Sequence, residues 1–319
     1  MHENASMTAF INDSEGIMGT SLSLLPRTTS GAGKSQDELL TETALDIHSK
    51  VPKPYDIEAA RAKYKVSHSE SMNTVLVQEL MRFNKLINMI RSTVIDLKDA
   101  IAGSVVMSGE LESLGDQIFD NKIPAMWQKV SYPSKKPLGS WLNDLLARLK
   151  MLQDWLDNGP PASYWISGFF FTQSFLTGMM QNYARKYNIA IDTLCYDFEV
   201  LDADISVESI TSPPEDGCYV YGMYLDGARW VDGALEEALP KILYYPVPIF
   251  WLKPVKTMEK VVRHVYVCPV YKTSARAGVL STTGQSTNFV LPIDLIMQKK
   301  HKTRHWIKRG TALLTQLDY

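Results

Sequence analysis

Apolar positions divide the chain into a helical regime and a strand regime. Over residues 71–102 they fall at Leu76, Leu80, Phe83, Ile87, Ile90, Val94, Leu97 and Ile101, in alternating steps of four and three. Such steps return to one face of an α-helix, so they predict a single helix of about 30 residues, about 45 Å long, with Gly103 placed to stop it. The seam suits either a coiled-coil dimer or packing against other helices of the same chain. Further amphipathic stretches favour the second. Ser35 and Glu38 have capping-box spacing ahead of Leu40, Ala44 and Ile47, and Asp56 after Pro54 can cap a shorter helix. Helices are also expected around residues 109–120 (Leu111, Leu114, Ile118) and 138–157 (Trp141, Leu145, Leu149, Leu152, Leu156), the latter closed by Gly159-Pro160-Pro161.

Residues 164–180 form the apolar stretch most suggestive of a membrane, and the helix expected over about 164–186 carries Trp165, Phe169, Phe170, Phe171, Phe175 and Tyr183. Ser167, Thr172, Gln173, Ser174 and Thr177 interrupt it, whereas a spanning helix needs about 20 largely apolar residues. The expectation is a buried helix covered on all sides, at a junction between layers. Beyond Asn188 the period becomes two. Leu194, Tyr196, Phe198 and Val200 alternate with Cys195, Asp197 and Glu199, and Tyr219, Tyr221, Met223 and Leu225 alternate with Val220, Gly222 and Tyr224. Asp226-Gly227 reads as a type I′ hairpin turn before residues 228–231. Strands are also expected at 247–252, 265–271, 288–292 and 306–314, with Pro246, Pro248 and Pro254 marking edges or bulges. The fold class predicted is α+β: a helical half with one long helix over residues 1–187, and an antiparallel β-barrel or sandwich over 188–319.

With 319 residues, 45% of them hydrophobic and a net charge of −2, the sequence is long enough for about two cored domains and is not built as a general polyanion binder. Cys195, Cys218 and Cys268 are too few and too far apart for a disulfide framework or a thiolate zinc site, which points to a reducing compartment. The first residues contain no basic and apolar leader pattern, and His2 stands where myristoylation needs glycine.

Candidate chemistry is thin. Gly33-Lys34-Ser35 ends like a P-loop, but Thr28 stands where the motif's first glycine belongs, and Ser35 serves the capping box equally well. The nearest approach to a nucleophile elbow, Gly284-Gln285-Ser286-Thr287-Asn288, lacks its final glycine. His301 and His305 have metal-ligand spacing, but Lys302 replaces the glutamate of HExxH and Lys299, Lys300 and Arg304 oppose a divalent cation. The expectation is therefore no catalytic set, no metal and no bound cofactor. Lys299, Lys300, Lys302, Arg304, Lys308 and Arg309 surround Trp306, a composition that could bind an anion or single-stranded nucleic acid; solvated lysines around an inward-packed ring explain it more simply. Glu236-Glu237 and Asp202/Asp204 read as solvated acidic faces with no evident partner.

Several long strings then carry a resemblance. ESMNTVLVQELMRFNKLINMI (residues 70–90), SYPSKKPLGSWLNDLLARL with WLDNGPP (131–161), FFFTQSFLTGMMQNYARKY (169–187), DGCYVYGMYLDGARW (216–230), LPKILYYPVPIFWLKP (239–254), CPVYKTSARAGVLSTTGQSTNFV (268–290) and HWIKRGTALLTQL (305–317) occur in order over almost the whole length. Together they resemble the carboxy-terminal region of dynein heavy chains, particularly axonemal ones. The resemblance implies a part of an ATP-driven, minus-end-directed microtubule motor of cilia or flagella. It assigns residues 1–187 to the end of the sixth AAA+ module and the start of the carboxy-terminal region, and 188–319 to the barrel beside the ring. The implied role is to brace the ring and influence output without hydrolysing ATP. No complete Walker A, Walker B, stalk or microtubule-binding tip is present in these residues, so ATP and Mg²⁺ belong to the parent motor and microtubules are reached only through the absent stalk. Implied partners are the remaining AAA+ ring and the intermediate and light chains, without membrane, in the cytoskeleton of the axoneme. The start of the sequence resembles a point inside the family's heavy chains, which implies a piece of a longer protein.

Overall fold

The computed structural model describes residues 34–261, 263–276, 278 and 287–319. The irregular reading of residues 1–33 lies outside these, as do Gly33, Gly284, Gln285 and Ser286. Contacts group the described residues into a helical unit over 34–159 and a strand-bearing unit over 160–318.

The helical unit is organised around the predicted long helix. Labelled in sequence order, α1 is Gln36–Lys50, α2 Ile57–Lys63, α3 Ser71–Ile101, α4 Gly109–Phe119, α5 Ala125–Gln128 and α6 Leu138–Asn158. Of the eight seam positions on α3, all but Ile101 are buried. The other five helices of the unit pack on α3, so the seam is covered from within the same molecule. Local rules set the ends. Ser35 accepts from the Glu38 amide while the Glu38 carboxylate accepts from the Ser35 amide, completing the capping box. Asp56 accepts from the Ala59 amide at the start of α2. After α3, Gly103 has positive φ and its amide donates to the Ala100 carbonyl while the Ser104 amide reaches Asp99.

Two buried groups of this unit pair their polar atoms. Trp127 stacks on Trp141 at 5.9 Å, and its indole N–H donates to Thr93 Oγ1 at 2.9 Å. The buried Arg148 guanidinium donates to Asp144 at 2.7 Å and lies 3.8 Å over the Tyr132 ring, whose hydroxyl donates to the same carboxylate at 2.8 Å. Burial, against the pull of the Arg148 cation, raises the Tyr132 phenol well above its usual pKa.

The strand-bearing unit begins with β1 (Ser163–Trp165), a single 3₁₀ turn, and α7 (Thr172–Lys186). The stretch expected as one helix is therefore three elements, with Phe169, Phe170 and Phe171 in the link before α7. Tyr164, Phe169 and Phe175 form one cluster with centroid separations of 4.3–6.2 Å. Among the described residues no helix is long and apolar enough to cross a membrane.

The strands are β2 (Leu194–Val200), β3 (Cys218–Tyr221), β4 (Tyr224–Asp226), β5 (Ala228–Val231), β6 (Ala234–Glu237), β7 (Tyr244–Pro246), β8 (Phe250–Lys256), β9 (Val265–Tyr271), β10 (Phe289–Ile296) and β11 (Ala312–Leu314), with α8 (Thr303–Arg309) before the last. They form a four-stranded sheet β1-β3-β8-β2, a five-stranded sheet β10-β9-β11-β4-β7 and the pair β5-β6. This corrects the barrel expectation: no closed barrel exists among the described residues. Nor is the pairing wholly antiparallel, since β1 runs parallel to β3 and β11 to β9.

Tertiary partners overturn three local expectations. The alternation over 219–225 is not one strand, because β3 and β4 belong to different sheets and Gly222, at φ +85°, joins them. Inward positions switch from Cys218 and Val220 to Met223 and Leu225 across that break. Asp226-Gly227 is not the hairpin turn. The hairpin is Asp232-Gly233, where both residues have positive φ and Val231 pairs with Ala234. Residues 306–314 are not one strand either, because α8 occupies their first part. Pro254 lies within β8 opposite Tyr196, beyond the stretch that β3 covers, where its missing N–H leaves no ladder bond unmade.

Candidate functional site

Lys34 and Ser35 are committed to the first helix. Lys34 pairs with Glu42, and Ser35 is the helix cap, so neither is arranged as part of a phosphate cradle. Asn288, the last residue of the elbow-like string, is buried and bonded to Thr273 through its side-chain oxygen and nitrogen.

The basic segment is a turn leading into α8. Lys299, Lys300, Lys302, Arg304 and Lys308 are exposed, whereas Trp306 has no solvent exposure. The ring is thus unavailable as a stacking surface, which removes half of the single-stranded nucleic-acid reading. Arg309 is half-buried and paired: its guanidinium donates to Glu237 at 3.0 Å. The acidic pair at the end of β6 is also partnered, contrary to its reading as a solvated face. Glu236 takes Arg229, and Glu237 takes Arg309 and His305.

Around Glu237 the fold gathers residues far apart in sequence. A parallel bridge between Leu235 and Met297 lays the end of β6 beside the segment that leads to α8. His301 lies before the helix and His305 within it, yet their rings stack at 4.3 Å and both meet the edge of Trp306, at 5.2 and 4.9 Å. His305 Nε2 is 3.2 Å from Glu237 Oε1 and 3.4 Å from Arg309 Nε. The hydrogen bond and charge of Arg309 hold the Glu237 carboxyl below its usual pKa. Burial first, then the neighbouring His301 and Arg309, lowers that of His305, with Glu237 opposing. The histidine spacing was visible in the sequence; Glu237, more than sixty residues away, had no local signal.

A second feature is an open groove of about 660 Å³ lined by Cys195, Tyr196, Phe198, Val265, Val267 and Leu291, among others. Its cations are already paired, Lys260 with Asp294 at 2.6 Å and Arg263 with Asp197 at 3.3 Å.

Known proteins similar to this one agree on one family. The family profile described as the C-terminal domain of the dynein heavy chain matches residues 11–315. Dynein axonemal heavy chain 3 of Mus musculus is 52% identical over 320 residues, covering 100% of this chain and 8% of that protein. Dynein axonemal heavy chain 12 of Homo sapiens is 55% identical over 290 residues, covering 90% of this chain and 9% of that protein. Dynein axonemal heavy chain 1 of Homo sapiens is 44% identical over 321 residues, covering 100% and 7%. The sequence therefore spans less than a tenth of the length of these three relatives. With a profile that runs through nearly all of both structural units, and with relatives that match them at this level, the protein belongs to the family formed by the C-terminal domains of dynein heavy chains.

Proposed function

We propose that this protein acts as the structural and regulatory carboxy-terminal region of an axonemal dynein heavy chain. In that reading it serves an ATP-driven, minus-end-directed microtubule motor of cilia or flagella by bracing the AAA+ ring, and leaves hydrolysis to the ring. The remainder of the heavy chain is the direct partner, the intermediate and light chains join in the complex, and the axoneme is the site of action. ATP and Mg²⁺ are bound by other parts of the motor. The supporting observation is the 44–55% identity to axonemal heavy chains that extends over 90–100% of the sequence. Commitment of Lys34 and Ser35 to a salt bridge and a helix cap supports the non-hydrolytic part.

The test has two arms. In the parent motor, deletion of residues 188–319 is expected to change velocity or force while basal ATPase persists; loss of all hydrolysis from a well-folded ring counts against a modulatory role. In the 319-residue protein, ATP binding is expected to match an inert control and to be unaltered by Lys34→Ala. Micromolar binding abolished by that change overturns the reading.

A further inference from the structure

We propose that Glu237, His301 and His305 form a binding site for a divalent first-row cation, with Zn²⁺ the best-matched ion, and that Arg309 competes with the metal for it. One donor atom from each of the three residues lies within 4.8 Å of the others. Ligands at about 2.0–2.1 Å in a tetrahedron are separated by about 3.3 Å. The 3.2 Å between His305 Nε2 and Glu237 Oε1 already has that spacing. The remaining approach requires movement of up to about 1.5 Å, within reach of side-chain rotation.

His301 supplies the second observation. Its Nε2 is buried and makes no hydrogen bond in the structure, while its backbone is tied down by the Gln298 carbonyl at 3.0 Å and by contact of the His264 ring with its own carbonyl at 3.3 Å. A buried imidazole nitrogen without a partner is destabilising, and a coordinate bond is one way to satisfy it. The ligands also come from a strand, a helix and the turn before that helix, which the fold already holds together. Glu237 ends β6, paired to β5 in a tight hairpin, and His305 sits in α8 over the buried Trp306.

Two imidazoles and one carboxylate select Zn²⁺ and its neighbours over Mg²⁺ or Ca²⁺, which prefer all-oxygen shells. Three protein ligands leave a fourth position for water. No reaction is assigned to it; the metal would link strand to helix. Arg309 is the opposing feature. Its guanidinium is on Glu237 Oε2 at 3.0 Å and beside His305 Nε2 at 3.4 Å, so it places a positive charge against two of the three ligands. The exposed Lys299, Lys300 and Arg304 nearby act through water and are screened over about 8 Å at physiological salt. Arg309 is the group that decides affinity, and its removal gives the proposal a signature that scattered surface binding lacks.

The experiment uses the 319-residue protein and Zn²⁺ alone, with affinity and stoichiometry read by competition against a chromophoric chelator. One ion per molecule is expected. Loss of a ligand in His301→Gln or His305→Gln is expected to weaken binding by more than about 100-fold, and Arg309→Gln to tighten it by about tenfold. Co²⁺ in place of Zn²⁺ should give the visible absorption of a four-coordinate site, lost in Glu237→Gln. Thermal melts without metal check that each variant folds, and the near-isosteric Glu237→Gln provides a second ligand change if a histidine variant does not. Zn²⁺ affinity unchanged in the ligand variants, no saturable binding even in Arg309→Gln, or displacement of Zn²⁺ by a hundredfold excess of Mg²⁺ overturns the proposal.

Discussion

Single residues show most clearly where a side chain meets a tertiary constraint. Gly222 has φ +85°, and a Cβ there would lie 2.4 Å from Cδ1 of Trp165. Gly222→Ala combines backbone strain with a clash against a ring. It is expected to lower stability by about 1–3 kcal/mol or more, measured by chemical denaturation. The cysteines give a second residue-scale prediction. Cys218 and Cys268 are fully buried and burial pushes both thiols far up, while Cys195 is half-buried at the groove. A thiol reagent near pH 8 should modify at most one cysteine in the native protein and all three after denaturation; rapid native labelling of Cys218 or Cys268 refutes their placement. Two Asp-Gly pairs show how far local chemistry is legible. Asp232-Gly233 makes the hairpin turn, whereas Asp226 is drawn into β4 by Ala312, Tyr244 and the Arg276 guanidinium. The dipeptides are identical, so only distant partners separate them.

At the scale of elements, helices were far more legible than strands. The α3 seam was visible because each turn repeats the same local requirement, and the partners covering it did not need to be known. Phe83→Ala removes a fully buried ring from that seam and should cost about 3–5 kcal/mol. Ile90→Pro removes a backbone donor from the helix interior and should cost about 3 kcal/mol or more. Calorimetric melting checks both, and an unchanged melting temperature rejects the core assignment. Strand readings failed both where a two-residue period ran across a break between sheets, as at Gly222, and where the period was absent. Ala312, Leu313 and Leu314 are all buried, so β11, which lies between β9 and β4 in its sheet, is covered on both faces as well. An interior strand covered on both faces loses the alternation that marks a half-exposed one. Trp306 then read as part of the same run, although Gly310, in the left-handed conformation, separates α8 from β11.

For the whole molecule, the balance of charge matters more than any cluster. A net charge of −2 with five exposed basic residues between 299 and 308 allows weak, salt-sensitive contact with anions and little more. Any binding of a single-stranded oligonucleotide should fall with salt, with a slope of about −0.7 per phosphate contact. It should be insensitive to Trp306→Phe, because the ring is buried. A fluorescence titration tests this, and a large loss in Trp306→Phe restores the stacking interpretation. The apparent basic patch is thereby divided: its lysines face water, while Arg309 and the two histidines belong with Glu237 in a cluster assembled by the fold.

Sequence alone determined the helical periodicity, the caps at Ser35 and Asp56, the long seam and the family resemblance, because each depends on neighbours within a few turns or on ordered strings of residues. Tertiary structure decided which strands share a sheet, which Asp-Gly pair turns back on itself, and which acid meets His301 and His305. Those outcomes depend on backbone hydrogen bonds and charge pairs between residues tens of positions apart, whose energies have no counterpart in local pattern.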